Sequence, residues 1–104
     1  MPREKFQTLT EQMFYILICL QSECCGIDIM EMVDKMTDGR VKVGPGTLYN
    51  LLEQFMDERI IAFTKSVGKK RSYVITDKGR NLLEKEYNRL LSQVTDYKKY
   101  MKGE

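Results

Sequence analysis

Thr47, Tyr49, Asn50 and Gln54 are the side chains whose types and spacing most suggest recognition chemistry. With Gly46 and Glu53 they lie on one side of a helical pattern whose other side is Leu48, Leu51, Leu52, Phe55 and Met56. The first two turns of the polar side carry no charge and offer a hydroxyl, a phenol and an amide. Near a helix N-terminus, such a face can approach a phosphate backbone and hydrogen-bond to base edges in a major groove. The same composition also fits a plain surface helix short of Lys and Glu. The start of the helix is sharp: Gly44 can take unusual turn angles, and Pro45 suits the first helical position.

Catalytic chemistry is poorly supplied. The chain has no histidine, which removes the commonest general base and any Ser/His or Cys/His dyad. Gly44-Pro45-Gly46 lacks the lysine and the spacing of a P-loop. The three cysteines, Cys19, Cys24 and Cys25, form neither a CxxC pair nor a balanced disulfide framework. We therefore expect no enzyme activity, no metal and no cofactor. Cys19 reads as a small buried hydrophobe. Cys24 and Cys25 lie near a turn and can be exposed, but no neighbouring basic residue lowers their thiol pKa toward redox chemistry.

The formal charge of +2 conceals a segregation. Residues 1–39 hold three Lys/Arg against seven Asp/Glu, residues 40–80 nine against four, and residues 81–104 five against four. Positive charge thus gathers around the polar helix face and the segment behind it, as a polyanion-binding surface requires. Arg40, Lys42, Lys69, Lys70 and Arg71 are the candidate phosphate contacts. The triplet Lys69-Lys70-Arg71 alone is equally the composition of a solubilising loop.

The elements that must position these residues follow from periodicity. At 104 residues the chain is one domain with a modest core. Residues 1–7 read as a lead-in, and Thr8 with Glu11 fits a capping box. A first helix is expected from about Leu9 to Gln21, apolar on more than one side. A turn over Ser22–Gly26 precedes a second helix from about Ile27 to Met36, with Ile29, Met30, Val33 and Met36 inward and Gly39 left-handed at its end. Arg40-Val41-Lys42-Val43 alternates as a short edge strand, and the polar-faced helix then runs to about Glu58. Residues 60–65 and 72–76 form a β-hairpin around the loop Ser66–Arg71, whose basic end resembles a wing on a phosphate backbone. Thr76 or Asp77 caps a last helix to about Met101.

In that last helix Leu83, Tyr87, Leu90, Val94, Tyr97 and Met101 step by 4, 3, 4, 3 and 4, a heptad seam broadened by Leu82, Leu91 and Tyr100. So long a helix cannot bury itself on so small a domain. The seam points to a partner helix, most simply that of a second copy, although folding back along its own domain would also use it. No apolar run approaches the roughly 20 residues of a membrane span. The N-terminus has no signal-peptide pattern, and a cytoplasmic protein is expected.

The order helix, helix, short strand, helix, hairpin, long helix is that of a winged helix-turn-helix. Gly44-Pro45-Gly46-Thr47-Leu48-Tyr49 resembles the signature that opens the recognition helix in the PadR family of transcriptional regulators. Arg40–Val43 is similar to its lead-in strand, and Lys70–Gly79 to its wing-to-last-helix junction. The resemblance covers roughly residues 9–100. It implies a homodimer on a palindromic operator, often a repressor released by a small molecule, with Thr47, Tyr49 and Asn50 facing the DNA and Lys69, Lys70 and Arg71 in the wing. Tyr73, the aromatic of the junction, joins this set. Dimerisation is implied through the last helix packed with the first, hence Phe14, Leu83, Tyr87, Leu90, Leu91, Val94, Tyr97 and Met101.

Several positions depart from the family pattern. Cys25-Gly26-Ile27 stands where His-Gly-Tyr is usual, Arg59 replaces a glycine, and Leu90 lies near an aromatic that some short members use to stack flat drugs. Met13, Phe14, Tyr87 and Leu90 would line an effector pocket for a small hydrophobic or aromatic molecule, or else fill a dimer core. The expected fold is mainly α with a small β-hairpin. A DNA-binding domain spans 1–76 and a dimerisation helix 77–104, in one compact unit. The alternative function is a protein–protein interaction module that uses the winged fold without DNA.

Overall fold

In the computed structural model, residues 6–104 are described. Most of the lead-in expected over 1–7 lies outside them. The described residues form α1 (Glu11–Cys19), β1 (Cys24–Cys25), α2 (Gly26–Met36), α3 (Pro45–Asp57), β2 (Ile61–Val67), β3 (Lys70–Ile75) and α4 (Asp77–Met101). This is the mainly helical winged helix with a long last helix that periodicity predicts.

The first helix begins later than its capping box suggests. Thr10, not Thr8, is the N-cap, and its side chain accepts the Met13 N–H at 3.2 Å. The reason lies at Leu9, which is buried before the helix starts and gives its own N–H to Glu86 Oε2 at 2.9 Å. A second correction concerns Ser22–Gly26. Part of that segment is strand β1, paired antiparallel with β3 through Cys24↔Tyr73 and Cys25↔Ser72. The sheet order is β1-β3-β2. Cys25 is buried and Cys24 half-buried, so neither is the open thiol that a turn would give.

Arg40–Val43 is not a strand. Its alternation is real, since Val41 and Val43 are buried, but it has no partner strand among the described residues. Thr37 Oγ1 accepts the Val41 N–H at 3.0 Å, and Lys42 O accepts from Gln12 Nε2 at 2.9 Å. Met36, expected inward, is exposed.

The C-termini of α2 and α3 close in the same way. Behind α2, Gly39 N–H reaches Asp34 O and Asp38 N–H reaches Lys35 O; behind α3, Ile60 N–H reaches Phe55 O and Arg59 N–H reaches Met56 O. These are Schellman closures, which need a left-handed residue after the cap. Asp38 (φ 53) and Gly39 (φ 78) supply it after α2, and Arg59 (φ 60) after α3. Gly44, by contrast, is ordinary extended backbone at φ −80 and ψ 163, so no unusual angle is used there.

Leu48, Leu52 and Phe55 of α3 pack with Ile16, Leu17, Leu20, Ile29, Val33 and Ile60 in one fully buried core. Thr76 caps α4 by accepting the Gly79 N–H at 3.1 Å. A Cβ on Gly79 would stand 2.2 Å from Ile60 O, so only glycine lets α4 leave the sheet here. Beyond its first turns, which hold Leu82 and Leu83 against the core, α4 runs out with Tyr87, Leu90, Leu91, Val94, Tyr97, Tyr100 and Met101 exposed.

Candidate nucleic-acid interface

The polar face of α3 exists as the spacing predicts. Gly46, Thr47, Tyr49, Asn50 and Glu53 are exposed, Gln54 is half-buried, and Leu48, Leu51, Leu52 and Phe55 are turned inward. No side chain caps the first turn, and Pro45 at its start has no N–H to satisfy. A Cβ on Gly44 or Gly46 would meet nothing within 4 Å. These glycines are not needed by the packing of the chain, and their bareness leaves the helix start open to another surface.

The hairpin is longer than its composition suggests. Val67 pairs with Lys70, and Gly68, at φ 61, forms a two-residue turn with Lys69. Lys70 and Arg71 therefore lie within β3 rather than in a loop, and only Lys69 occupies the tip. All three are exposed, and the Arg71 guanidinium sits 5.0 Å from the Phe63 ring centre, a cation–π contact. The wing is tied to the residue just before β1 by Lys65 and Glu23, 3.3 Å apart. Hydrogen bonds from Thr64 and then Lys65 hold the Glu23 carboxyl below its ordinary pKa.

One groove of about 570 Å³ gathers these parts: Gly26 and Ile27 at the start of α2, Tyr49, Glu53 and Asp57 on α3, and Lys69, Lys70 and Arg71 on the wing. Tyr49 and the three wing cations thus share one concavity, while Thr47, Asn50 and Gln54 do not line it. Three other expected contacts are placed differently. Tyr73 is only 6% exposed, and its ring packs edge-on to Phe63 with centroids 6.1 Å apart. Its alternation along β3 turns most of it to the core, and what remains exposed lines the floor of the same groove. Arg40 is engaged elsewhere, by Glu11 Oε1 and by Tyr15 Oη at 2.9 Å. The Glu11 carboxylate raises its pKa further. Lys42 lies 4.0 Å from Asp34 Oδ1.

The remaining candidates lie around α4. Phe14 and Leu83 are half-buried against their own core, whereas Tyr87, Leu90, Leu91, Val94, Tyr97 and Met101 are exposed, Met101 at 70%. A cavity of about 390 Å³ between α1 and α4 includes Phe14 and Leu90 but is otherwise lined by Leu9, Thr10, Glu11, Tyr15, Arg40 and Glu86. Met13 and Tyr87 are not part of it. Sequence reasoning missed Glu86, which is 2% exposed. Its carboxylate accepts from Arg89 Nε at 2.6 Å, Arg89 Nη2 at 2.7 Å and the Leu9 N–H. Chiefly the Arg89 hydrogen bonds hold its pKa low against burial, which raises it. The i,i+3 spacing of Glu86 and Arg89 was the available signal, but it also describes any surface ion pair.

The thiols are shielded. Burial pushes Cys19 up to about 11, and burial followed by the Asp28 charge raises Cys24. The Cys25 thiol donates to Asp28 Oδ2 at 3.1 Å.

A three-helix body, a two-stranded wing with a basic end and a long terminal helix define a winged helix-turn-helix protein. The transcriptional regulator PadR-like family model matches residues 16–85, and the chain belongs to that family, whose members regulate transcription rather than catalyse reactions. The fold is similar to that of a transcriptional regulator from Clostridium thermocellum, Cth-833, at TM-score 0.74 and 20% identity, covering 85% of this chain and 90% of that one. It is also similar to RosR of H. salinarum, at TM-score 0.71 and 19% identity over 86% and 80% of the two chains. Bacillus subtilis PadR, solved in complex with operator DNA, matches at TM-score 0.60 and 28% identity, over 68% of this chain and 42% of that one. No curated protein matches the chain.

Proposed function

We propose that this chain regulates transcription by binding operator DNA as a homodimer in the cytoplasm. The observation that carries this reading is the groove that joins Tyr49 of α3 to Lys69, Lys70 and Arg71 of the wing. It places a hydrogen-bonding aromatic and three exposed cations along one surface, beside the bare start of a helix. Thr47, Tyr49 and Asn50, with Gln54 at the edge, are assigned to base edges, and the wing cations and Lys42 to phosphates. The operator complex of B. subtilis PadR supports the same use of the fold.

A dimer through α4 presents two recognition helices about a two-fold axis, so the operator is palindromic. Repression is the mode that the family resemblance implies. The cavity between α1 and α4 supports release by a small molecule, with Phe14 and Leu90 as its apolar wall and Tyr15 and Arg40 as its polar one.

Fluorescence anisotropy with a labelled duplex from the region upstream of the gene, at two salt concentrations, tests the reading. Expected is saturable binding that weakens steeply with salt, and altered preference among operator variants for Tyr49→Phe and Asn50→Ala. Absence of binding to that duplex and to duplexes selected from a random pool sinks the reading and leaves a protein–protein module.

A further inference from the structure

The Tyr49 ring does not stand free above α3; it rests against the first residue of α2. A Cβ built on Gly26 would lie 2.9 Å from Tyr49 Cε1, 3.1 Å from Oη and 3.3 Å from Cζ. Real Cβ atoms essentially never come so close to a carbon, so any side chain at position 26 must displace the ring. Gly26 is not among the glycines with positive φ, so its backbone angles do not demand glycine. Helix propensity does not favour glycine there either. What requires it is the approach of the ring. Tyr49 also lines the groove beside Ile27 and the wing cations, and the residue is 47% exposed.

We infer that Gly26 is a positioning residue for sequence preference: its missing side chain seats the Tyr49 ring over the start of α2 and fixes where the phenol meets a base edge. The inference rests on the DNA-binding reading above. A phenol on a long, two-torsion side chain discriminates bases only if its ring is held, and hydrogen-bond readout falls steeply with misplacement. On α3 alone the Tyr49 ring is free to swing between groove and solvent. The α2 backbone removes that freedom at the cost of one methyl group.

The test compares wild type, Gly26→Ala, Tyr49→Ala and the double variant. Each is titrated against the duplex that wild type selects from a random-sequence pool and against its single-base-pair variants. Gly26→Ala is expected to change the ratio of affinities for selected and substituted duplexes several-fold while non-specific binding holds. In the Tyr49→Ala background it is expected to change nothing further. An unchanged ratio, or an equal change without the ring, overturns the inference.

A readout without DNA separates the seat from the reading it rests on. The chain has six tyrosines. In fluorotyrosine-labelled protein the Tyr49 ¹⁹F resonance, assigned by its loss in Tyr49→Phe, is expected to shift in Gly26→Ala. A stationary resonance overturns the seat, whereas a shifted resonance in a protein that binds no DNA overturns the DNA reading and, with it, the role in preference. If Gly26→Ala fails to fold, the pair with Tyr49→Ala decides. The seat requires that pair to fold, because the ring struck by the methyl group is gone, and its failure to fold overturns the inference.

Discussion

Arg59 carries an energetic cost that its neighbours make unavoidable. Its φ of 60 is the left-handed conformation that closes α3, and it lets Ile60 turn back into the core. The turn is then locked from the far side: Thr76 N–H donates to Ile60 O at 3.0 Å, and the Thr76 hydroxyl lies 2.7 Å from Arg59 O and 2.9 Å from Ile60 O. An L-residue held there costs about 1 kcal/mol relative to glycine. Arg59→Gly is therefore expected to stabilise the fold by up to about 1 kcal/mol, the gain being trimmed by the greater freedom of glycine in the unfolded chain. Thermal unfolding at fixed protein concentration checks this; an unchanged or lower midpoint means that the arginine side chain makes interactions worth as much as its strain. The site of the cost was legible in the sequence, because an arginine stood where the pattern calls for glycine. The conformation of Asp38 was not, because the adjacent Gly39 accounted for the turn by itself.

At the scale of elements, the wing and the Glu86 clamp make opposite demands on charge. The wing holds its cations out. Among the described residues no ion pair involves Lys69, Lys70 or Arg71, so all three are available to a polyanion. Replacing them together with alanine is expected to weaken binding across all DNA sequences and to lower the log–log salt slope by about 1 for each phosphate that is no longer neutralised. An unchanged slope would remove the wing from the interface. The clamp instead draws charge in, fastening the segment before α1 to α4 through the Leu9 N–H and Arg89. The folded-state pKa of Glu86 is lowered, so its contribution is fully present above the unfolded carboxylate pKa and is lost as pH falls through the lower folded value. Glu86→Gln keeps an acceptor but loses the charge, and is expected to cost about 1 kcal/mol at neutral pH. Melting curves across pH should show that difference shrinking in acid; a difference independent of pH would make the clamp a matter of shape. Elements built on long periodicity, α3 and α4 above all, were plain from the sequence. Those set by contacts distant in the chain were not: β1 is two residues long and exists only because β3 passes beside it, while Arg40–Val43 had the right alternation and, among the described residues, no neighbour to pair with. The same blindness hid the burial of Tyr73, which depends on the sheet and not on the motif around it.

For the molecule as a whole, α4 poses a packing problem with one economical solution. Its 25 residues extend about 37 Å at the usual helical rise, and most of that length projects beyond the winged body. Leu90, Leu91, Val94, Tyr97, Tyr100 and Met101 face water together. Scattered exposed apolar residues need no explanation, but a contiguous heptad-spaced stripe is what a second helix covers. Among the described residues nothing remains to cover it, since α1, α2 and α3 are already committed to the core. In the proposed homodimer a second copy would do so with its own stripe, by an isologous contact in which each residue meets its equivalent region across the two-fold axis. Leu83, part of the seam in sequence, packs on its own core, so the exposed part of the stripe starts at Tyr87. A charge at the centre of such a seam is buried twice in the dimer and left in water in the monomer. Leu90→Asp or Val94→Asp is therefore expected to shift sedimentation or light-scattering mass from dimer to monomer, with most of the helical circular dichroism retained and some of it lost from the freed end of α4. Operator affinity should fall much further than the affinity of each half for non-specific DNA, because two linked half-sites bind as one only while the dimer holds. A variant that stayed fully dimeric would place the interface on another surface, and the two recognition helices with it.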